Sequence, residues 1–179
     1  CMRLIDFFDK AAASHPERMA FLGQDANFTY QGLNESSERL AAALQRAGLD
    51  AAGGERVAIY SPNCSQAFAC VLGVLRAGAA WVPINARNAV DANIEFIDLT
   101  GCRWLIYHSS FADVVHSMRE RLPRLTSLVC IDRDDGAVPS LENFTRGAVR
   151  GSAAGVPFDA RQIATIIGSG GTTGRSKGV

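Results

Sequence analysis

The stretch "RVAIYSPNCSQAFACVLGVLRAGAAWVPI", Arg56 to Ile84, decides the fold. Residues 56–60 are a compact apolar run of strand length, closed by Ser61 and Pro62. Residues 62–78 read as a buried helix, with Asn63 as candidate cap and Gly78 as candidate stop. Residues 79–84 are a second apolar run. A strand, a helix and a strand in such close order make a βαβ unit, which joins parallel strands through a right-handed crossover.

The same alternation continues downstream. Residues 91–99 are expected as a helix, 103–108 as a strand, 111–122 as a helix and 127–131 as a strand. Asp91 lies near the cap of the first of these helices. Residues 132–160 form a looser, Gly-rich connection with one short helix near Leu141. "QIATII" (162–167) reads as one more buried strand. Near-continuous apolar strands belong to a sheet covered on both faces. The expected fold class is therefore α/β, a mostly parallel sheet flanked by helices.

Upstream, Leu4, Phe7, Phe8, Ala11 and Ala12 recur at helical spacing, and Pro16 ends that helix near Ser14–His15. "MAFL" and "FTY" read as two short strands around the turn "GQDAN". Leu33, Ser37, Leu40, Ala41 and Leu44 then fall on one helical face, with Thr29 as N-cap and Gly48 just past the C-terminus.

Composition narrows the function. Lys plus Arg equals Asp plus Glu at 18 each, so the formal net charge is zero. That balance argues against nucleic acid or a membrane surface as the main partner. No run is long and apolar enough for a transmembrane helix, and the N-terminal stretch lacks the pattern of a signal peptide, so the expected compartment is cytoplasmic. The five cysteines, Cys1, Cys64, Cys70, Cys102 and Cys130, show no C-x-x-C spacing and read as free thiols. Zinc is not expected, because His15, His108 and His116 have no ligand spacing with them. His108, at a strand end, reads as a hydrogen-bonded surface residue and His116 as solvated. Trp81 and Trp104 read as core.

The last twelve residues, "GSGGTTGRSKGV" (168–179), carry the chemistry. In open parallel sheets ligands bind beyond the carboxyl ends of the strands. A Gly-rich turn there exposes backbone N–H groups to an anion. Ser169, Thr172 and Thr173 add hydroxyl donors, and Lys177 adds a positive charge suited to phosphate. The pattern is not a Walker A loop, because Lys177 lies between Ser176 and Gly178. Nor is it the dinucleotide pattern, because Thr173 takes the place of the third glycine.

The loop resembles the glycine/threonine-rich phosphate loop of the adenylate-forming (AMP-binding) superfamily, which includes acyl-CoA synthetases, aryl-CoA ligases, luciferases and nonribosomal adenylation domains. The usual form is T-S-G-T-T-G-x-P-K-G. Here Ser169 stands for the first Thr, Gly170 for the Ser and Ser176 for the Pro, while Gly171, Thr172, Thr173, Gly174, Lys177 and Gly178 match. "FTYQGLNESSERLAAALQRAGLDAAGGERVAIYSPN" and "VLGVLRAGAAWVPIN" resemble the superfamily's T-Y-x-E-L helix, G-D-R-V-A strand and A-G-A-x-x-V-P-I-N segment, with Gly32 and Gly54 replacing the usual acids. The likeness runs from about Leu4 to Val179.

The resemblance implies the first subdomain of a large N-terminal domain, with a core over 1–150, a linker over 132–160, a strand plus phosphate loop over 162–179 and no C-terminal domain. It implies an acid–thiol ligase that uses ATP with Mg2+ to form an acyl adenylate and then transfers the acyl group to coenzyme A, as a fatty- or aryl-acyl-CoA synthetase does. The partners implied are a carboxylic acid, ATP and CoA; the oligomeric state stays open. Ser169, Gly170, Gly171, Thr172, Thr173, Gly174 and Lys177 are the implied nucleotide-binding residues. The implied magnesium ligands, acyl pocket and catalytic lysine lie downstream, so the 179-residue chain is expected to be inactive alone. Gly170 and Ser176 are expected to weaken the phosphate contact. A nonribosomal-type adenylation domain and a non-catalytic nucleotide-scaffold module remain the alternatives.

Overall fold

The structure, a computed structural model, describes residues 2–169 and 177–179, with only the backbone at Lys177. α1 (Leu4–Ser14) leads into a short hairpin, β1 (Met19–Leu22) and β2 (Asn27–Thr29), and then α2 (Tyr30–Arg46). β3 (Arg56–Tyr60), α3 (Ser65–Arg76), β4 (Ala80–Pro83), α4 (Val90–Thr100), β5 (Trp104–Tyr107), a 3-10 turn at Ser109–Phe111, α5 (Ala112–Arg121) and β6 (Ser127–Cys130) follow in alternation. α6 (Leu141–Thr145) and the hairpin of β7 (Gly168–Ser169) and β8 (Lys177–Gly178) complete the described elements.

The central sheet has the order β4-β3-β5-β6, and every pairing in it is parallel. Successive side chains of a strand point to opposite faces, and here both faces are covered. Val57 and Ile59 pack with Leu40 and Leu44 of α2 and with Cys70 and Val74 of α3. Ala58 and Tyr60 pack with Ile94 and Ile97 of α4 and with Met118 of α5. A third cluster of Ile5, Leu33, Ala69 and Leu72 seats α1 and the first hairpin on the outside of α2 and α3. Arg76 fastens this layer: it pairs with Asp9 at 2.5 Å and donates to Asn34 Oδ1 and Ser37 Oγ.

Local chemistry explains the helix boundaries. Thr29 Oγ1 accepts from the Gly32 N–H at 3.1 Å, which starts α2 where the cap residue predicts. α3 begins later than its apolar run. Its cap is Cys64, whose sulfur accepts from Ala67 N, and not Asn63. Asp25, in the turn between β1 and β2, accepts from the backbone N–H groups of Ser65 and Gln66 at 2.9 and 3.1 Å. A remote carboxylate thus satisfies two of the N–H groups that every helix start leaves open.

α2 and α3 cross where Gly73 meets Leu40. A Cβ at Gly73 would lie 2.7–2.9 Å from the Leu40 side chain. The absent side chain is what lets the two helices approach. The connection after β6 is tied across α2 rather than loose. Arg46 donates to the carbonyls of Phe144 and Arg146, Arg150 pairs with Glu35 and Glu38, and the Gln45 amide bonds both main-chain groups of Ala154.

The expected strand over 162–167 is corrected. It makes one parallel bridge, Thr165 to Trp81, through Trp81 N to Ala164 O at 2.9 Å and Ile166 N to Trp81 O at 3.0 Å. A parallel ladder advances two residues per step, so the next donor on β4 would be Pro83, which has no N–H. The ladder stops there. Ile163 and Ile167 are half exposed, at 50% and 51%, where the apolar run suggested burial.

Gly73→Val is expected to destabilise the chain by about 1–3 kcal/mol, because extra volume at a close helix crossing forces the pair apart; urea unfolding measures it, and an unchanged midpoint contradicts the packing described. Partial burial pushes the Asp25 carboxyl up, but the Ser65 and Gln66 N–H groups outweigh it and hold it at about 2, below its ordinary 3.8. A depressed folded-state pKa contributes stability above the ordinary value and loses it as pH falls through the folded one. Asp25→Ala is therefore expected to cost about 1 kcal/mol at neutral pH, with the gap to wild type closing between about pH 4 and pH 2. A gap independent of pH rules out the charged cap.

Candidate functional site

Beyond Thr165 the chain runs past the carboxyl end of β4, the place where open parallel sheets bind ligands. There it forms a narrow antiparallel ribbon. Gly168 opposes Gly178 and Ser169 opposes Lys177. Ile167 and Val179 close the ribbon by exchanging two hydrogen bonds of 3.0 Å. Adjacent strands lie about 5 Å apart, so the two ends of the intervening loop are fixed side by side. Gly170, Gly171, Thr172, Thr173, Gly174, Arg175 and Ser176 lie outside the described residues. Of the sequence-predicted site, the structure therefore places Ser169, which is exposed, and the Lys177 backbone.

The ribbon leans on α4. A Cβ at Gly168 would lie 3.5 Å from Phe96 Cζ, and one at Gly178 would lie 3.0 Å from Ile166 Cγ2 and 3.9 Å from Phe96 Cε2. Phe96 is only 6% exposed and belongs to the cluster beneath the sheet, against which Ile166 also packs. Sequence reading did not find this contact. Phe96 lies within the helix expected over 91–99, and nothing in its own segment signals what crosses it.

Other polar groups gather at the carboxyl ends of β5 and β6, and their geometry shows them to be occupied. The backbone N–H of Ser110 donates to His108 Nδ1 at 3.1 Å, and Ser110 Oγ lies 2.9 Å from the same nitrogen. His108 Nε2 is 3.6 Å from Asp132, beyond hydrogen-bond range. Asp132 instead accepts from the Ser109 N–H and hydroxyl at 2.9 and 2.6 Å. Burial pushes the Asp132 carboxyl up, but the Ser109 bonds and the nearby His108 outweigh it and hold it below the usual range. His108 thus caps the 3-10 turn, with a ring nitrogen committed to the backbone, and is not a base poised on a serine.

His116 is not simply solvated. Its Nε2 lies 2.8 Å from Asp135, which also accepts from the buried Tyr107 hydroxyl at 2.5 Å. The Tyr107 bond, and then His116, keep the Asp135 carboxyl low. Burial, reinforced by Asp135, pushes the Tyr107 phenol well up. This chain of bonds joins α5 to the turn after β6.

Cys70, Cys102 and Cys130 are buried free thiols whose pKa burial raises, so they stay protonated and unreactive. A cleft of about 630 Å³ lies between α2, the start of α3 and residues 131–146. Of its three carboxylates, Asp132 is already bonded to Ser109 and Asp134 to Asn143 and the Ser140 N–H, while Glu142 lies at the start of α6. Among the described residues no group of three His, Cys, Asp or Glu side chains is placed to hold a metal.

A parallel sheet of this order, covered by helices on both faces, places the chain in the α/β class. The family model for AMP-binding enzymes matches residues 8–179, and the chain belongs to that family. It is 33% identical over 177 residues to 3-[(3aS,4S,7aS)-7a-methyl-1,5-dioxo-octahydro-1H-inden-4-yl]propanoyl:CoA ligase of Mycobacterium tuberculosis, covering 96% of this chain and 34% of that protein. It is 28% identical to crotonobetaine/carnitine–CoA ligase of Proteus mirabilis, covering 98% of this chain and 34% of the relative. It is 31% identical to the dimodular nonribosomal peptide synthase of Bacillus subtilis, covering 98% of this chain and 7% of that protein. The chain thus spans about a third of the length of the CoA ligases it matches.

Solved structures agree. The inhibitor-bound N-terminal domain of FACL13 from Mycobacterium tuberculosis superposes with a TM-score of 0.85 at 27% identity, covering 99% of this chain and 44% of that one. The fatty acyl CoA synthetase of the same organism gives 0.82 at 25% identity, covering 99% and 34%. The α/β fold is that of adenylate-forming enzymes.

Gly178→Val is expected to open the ribbon, because Ile166 Cγ2 stands only 3.0 Å from where a Cβ would go and valine adds two further methyl groups. Amide exchange at Ile167 and Val179 should then accelerate while β3 amides keep their protection. Equal protection in the variant contradicts the close approach.

Proposed function

We propose that the protein containing this chain activates a carboxylic acid with ATP and passes the acyl group to the thiol of coenzyme A. In the first step a carboxylate oxygen attacks the α-phosphorus, and the bond to pyrophosphate breaks. In the second, the thiol sulfur attacks the acyl carbonyl, and AMP leaves with the bonding electron pair. The observation that carries this reading is the loop over 169–177, held at both ends beyond the carboxyl edge of a parallel sheet in a member of the AMP-binding family. The relatives named as CoA ligases support the acceptor; for the substrate we propose a fatty or aryl acid.

In this reading the loop holds the β- and γ-phosphates, which depart together. Gly170, Gly171 and Gly174 give backbone approach, Ser169, Thr172 and Thr173 give hydroxyl contacts, and Lys177 gives charge. Their work is positioning and charge neutralisation rather than proton transfer. Magnesium, which ATP chemistry of this kind uses to neutralise phosphate charge, has no ligand cluster among the described residues, so its ligands are assigned to the remainder of the protein. The 179-residue chain is accordingly proposed to be inactive by itself. A carrier-protein thiol as acceptor is the second reading, favoured by the 31% identity with the nonribosomal synthase.

A hydrogen bond to a charged group contributes about 1.5–3 kcal/mol. Lys177→Ala in the full-length protein is therefore expected to slow adenylation about ten- to a hundredfold. ATP–pyrophosphate exchange over a panel of carboxylic acids measures it. Exchange at the wild-type rate would remove the lysine from the site, and absence of exchange with every acid would overturn the activity.

A further inference from the structure

We propose that Phe96 of α4 is a positioning residue for the phosphate loop: its ring is the platform on which the glycine stem of the loop is seated. The proposal rests on the phosphate-loop reading above and adds to it a residue outside the glycine/threonine-rich segment.

Three features of the geometry carry it. The first is register. Directly opposed residues of an antiparallel pair project to the same face, and Gly168 opposes Gly178. The two residues facing α4 are thus the two without side chains. The second is distance. Three ring atoms of Phe96 lie 3.5–3.8 Å from the Cβ position of Gly168, and one lies 3.9 Å from that of Gly178. Both strands of the stem therefore pass over one flat ring, with no more than the space of a Cβ between them and it. The third is rigidity. Phe96 is packed into the cluster with Ile94, Ile97 and Leu105, and Ile166, beside the stem, packs on the same cluster while its N–H bonds to Trp81. The ring is fixed from below and the incoming strand from the side.

The physical consequence is preorganisation. A two-residue-per-strand ribbon is marginal on its own. Ordering a loop only when ligand arrives takes away from affinity the entropy of ordering it. A ribbon held against a buried aromatic ring fixes where Ser169 and the Lys177 backbone stand before ligand arrives. Replacing the ring by leucine keeps an apolar side chain in the core, at the cost of a small cavity, and removes the flat support.

The test compares Phe96→Leu with Ile97→Ala, a buried residue of the same helix and cluster. Two quantities are read: amide exchange of Ile167 and Val179 relative to Val57 and Ile59 of β3, and the KM for ATP against kcat in pyrophosphate exchange by the full-length protein. For Phe96→Leu the stem amides are expected to exchange about tenfold faster relative to β3, and the KM for ATP to rise about fivefold with kcat within about twofold. Ile97→Ala is expected to lower overall stability while leaving the stem-to-β3 ratio and the KM unchanged. Phe96→Tyr, which keeps a flat ring, should restore both readouts. Stem amides that follow β3 in Phe96→Leu overturn the platform. Loosened stem amides with an unchanged KM overturn the positioning role when Lys177→Ala does impair exchange. If Lys177→Ala is silent as well, the phosphate-loop reading itself has failed.

Discussion

Burial of β3 on both faces is the constraint from which the rest follows. Val57 and Ile59 need one apolar layer and Ala58 and Tyr60 another, so helices must cover both sides of the sheet. With β4 on one side of β3 and β5 on the other, the chain order reverses across the middle of the sheet. Such a reversal leaves the carboxyl ends of the strands open, because their connections diverge to opposite faces. The polar cluster of His108, Ser109, Asp132 and Asp135 collects at these ends, where backbone and side-chain groups can reach one another and water.

The edge of the sheet then decides where the loop goes. β4 is short, and Pro83 removes the donor that would continue its ladder. The segment arriving at Ala164–Ile166 is captured for one step and released at the carboxyl end. Released there, it lies over α4, where Phe96 and Ile166 leave room for glycine and little more at Gly178. One imino acid, one aromatic ring and two glycines thus set the place and orientation of the stem. None of them carries out chemistry.

Much of this was legible in the sequence. The strands of the sheet appear as apolar runs at 56–60, 79–84, 103–108 and 127–131, within a residue or so of their observed ends, because a two-sided buried strand has a signature that depends only on its own residues. Thr29 and the Leu33–Leu44 face of α2 were legible for the same reason. Apart from the α3 cap, which is Cys64 and not Asn63, the misses involve partners distant in sequence. Asp25 caps α3 from forty residues away. Gly73 is required by Leu40 of another helix. Residues 162–167 have the composition of a buried strand, but whether a ladder forms depends on the partner, and the partner offers a proline. The candidate loop could be read as a motif; the ring that supports it could not.

The central claim is that residues 168–179 receive the phosphates of a nucleotide. Hydrogen–deuterium exchange of the full-length protein, with and without a non-hydrolysable ATP analogue, tests it most directly. The account predicts slowed exchange over 168–179 on nucleotide binding, with no change in the β1–β2 hairpin on the far side of α2 and α3. Nucleotide binding that leaves 168–179 untouched would contradict it.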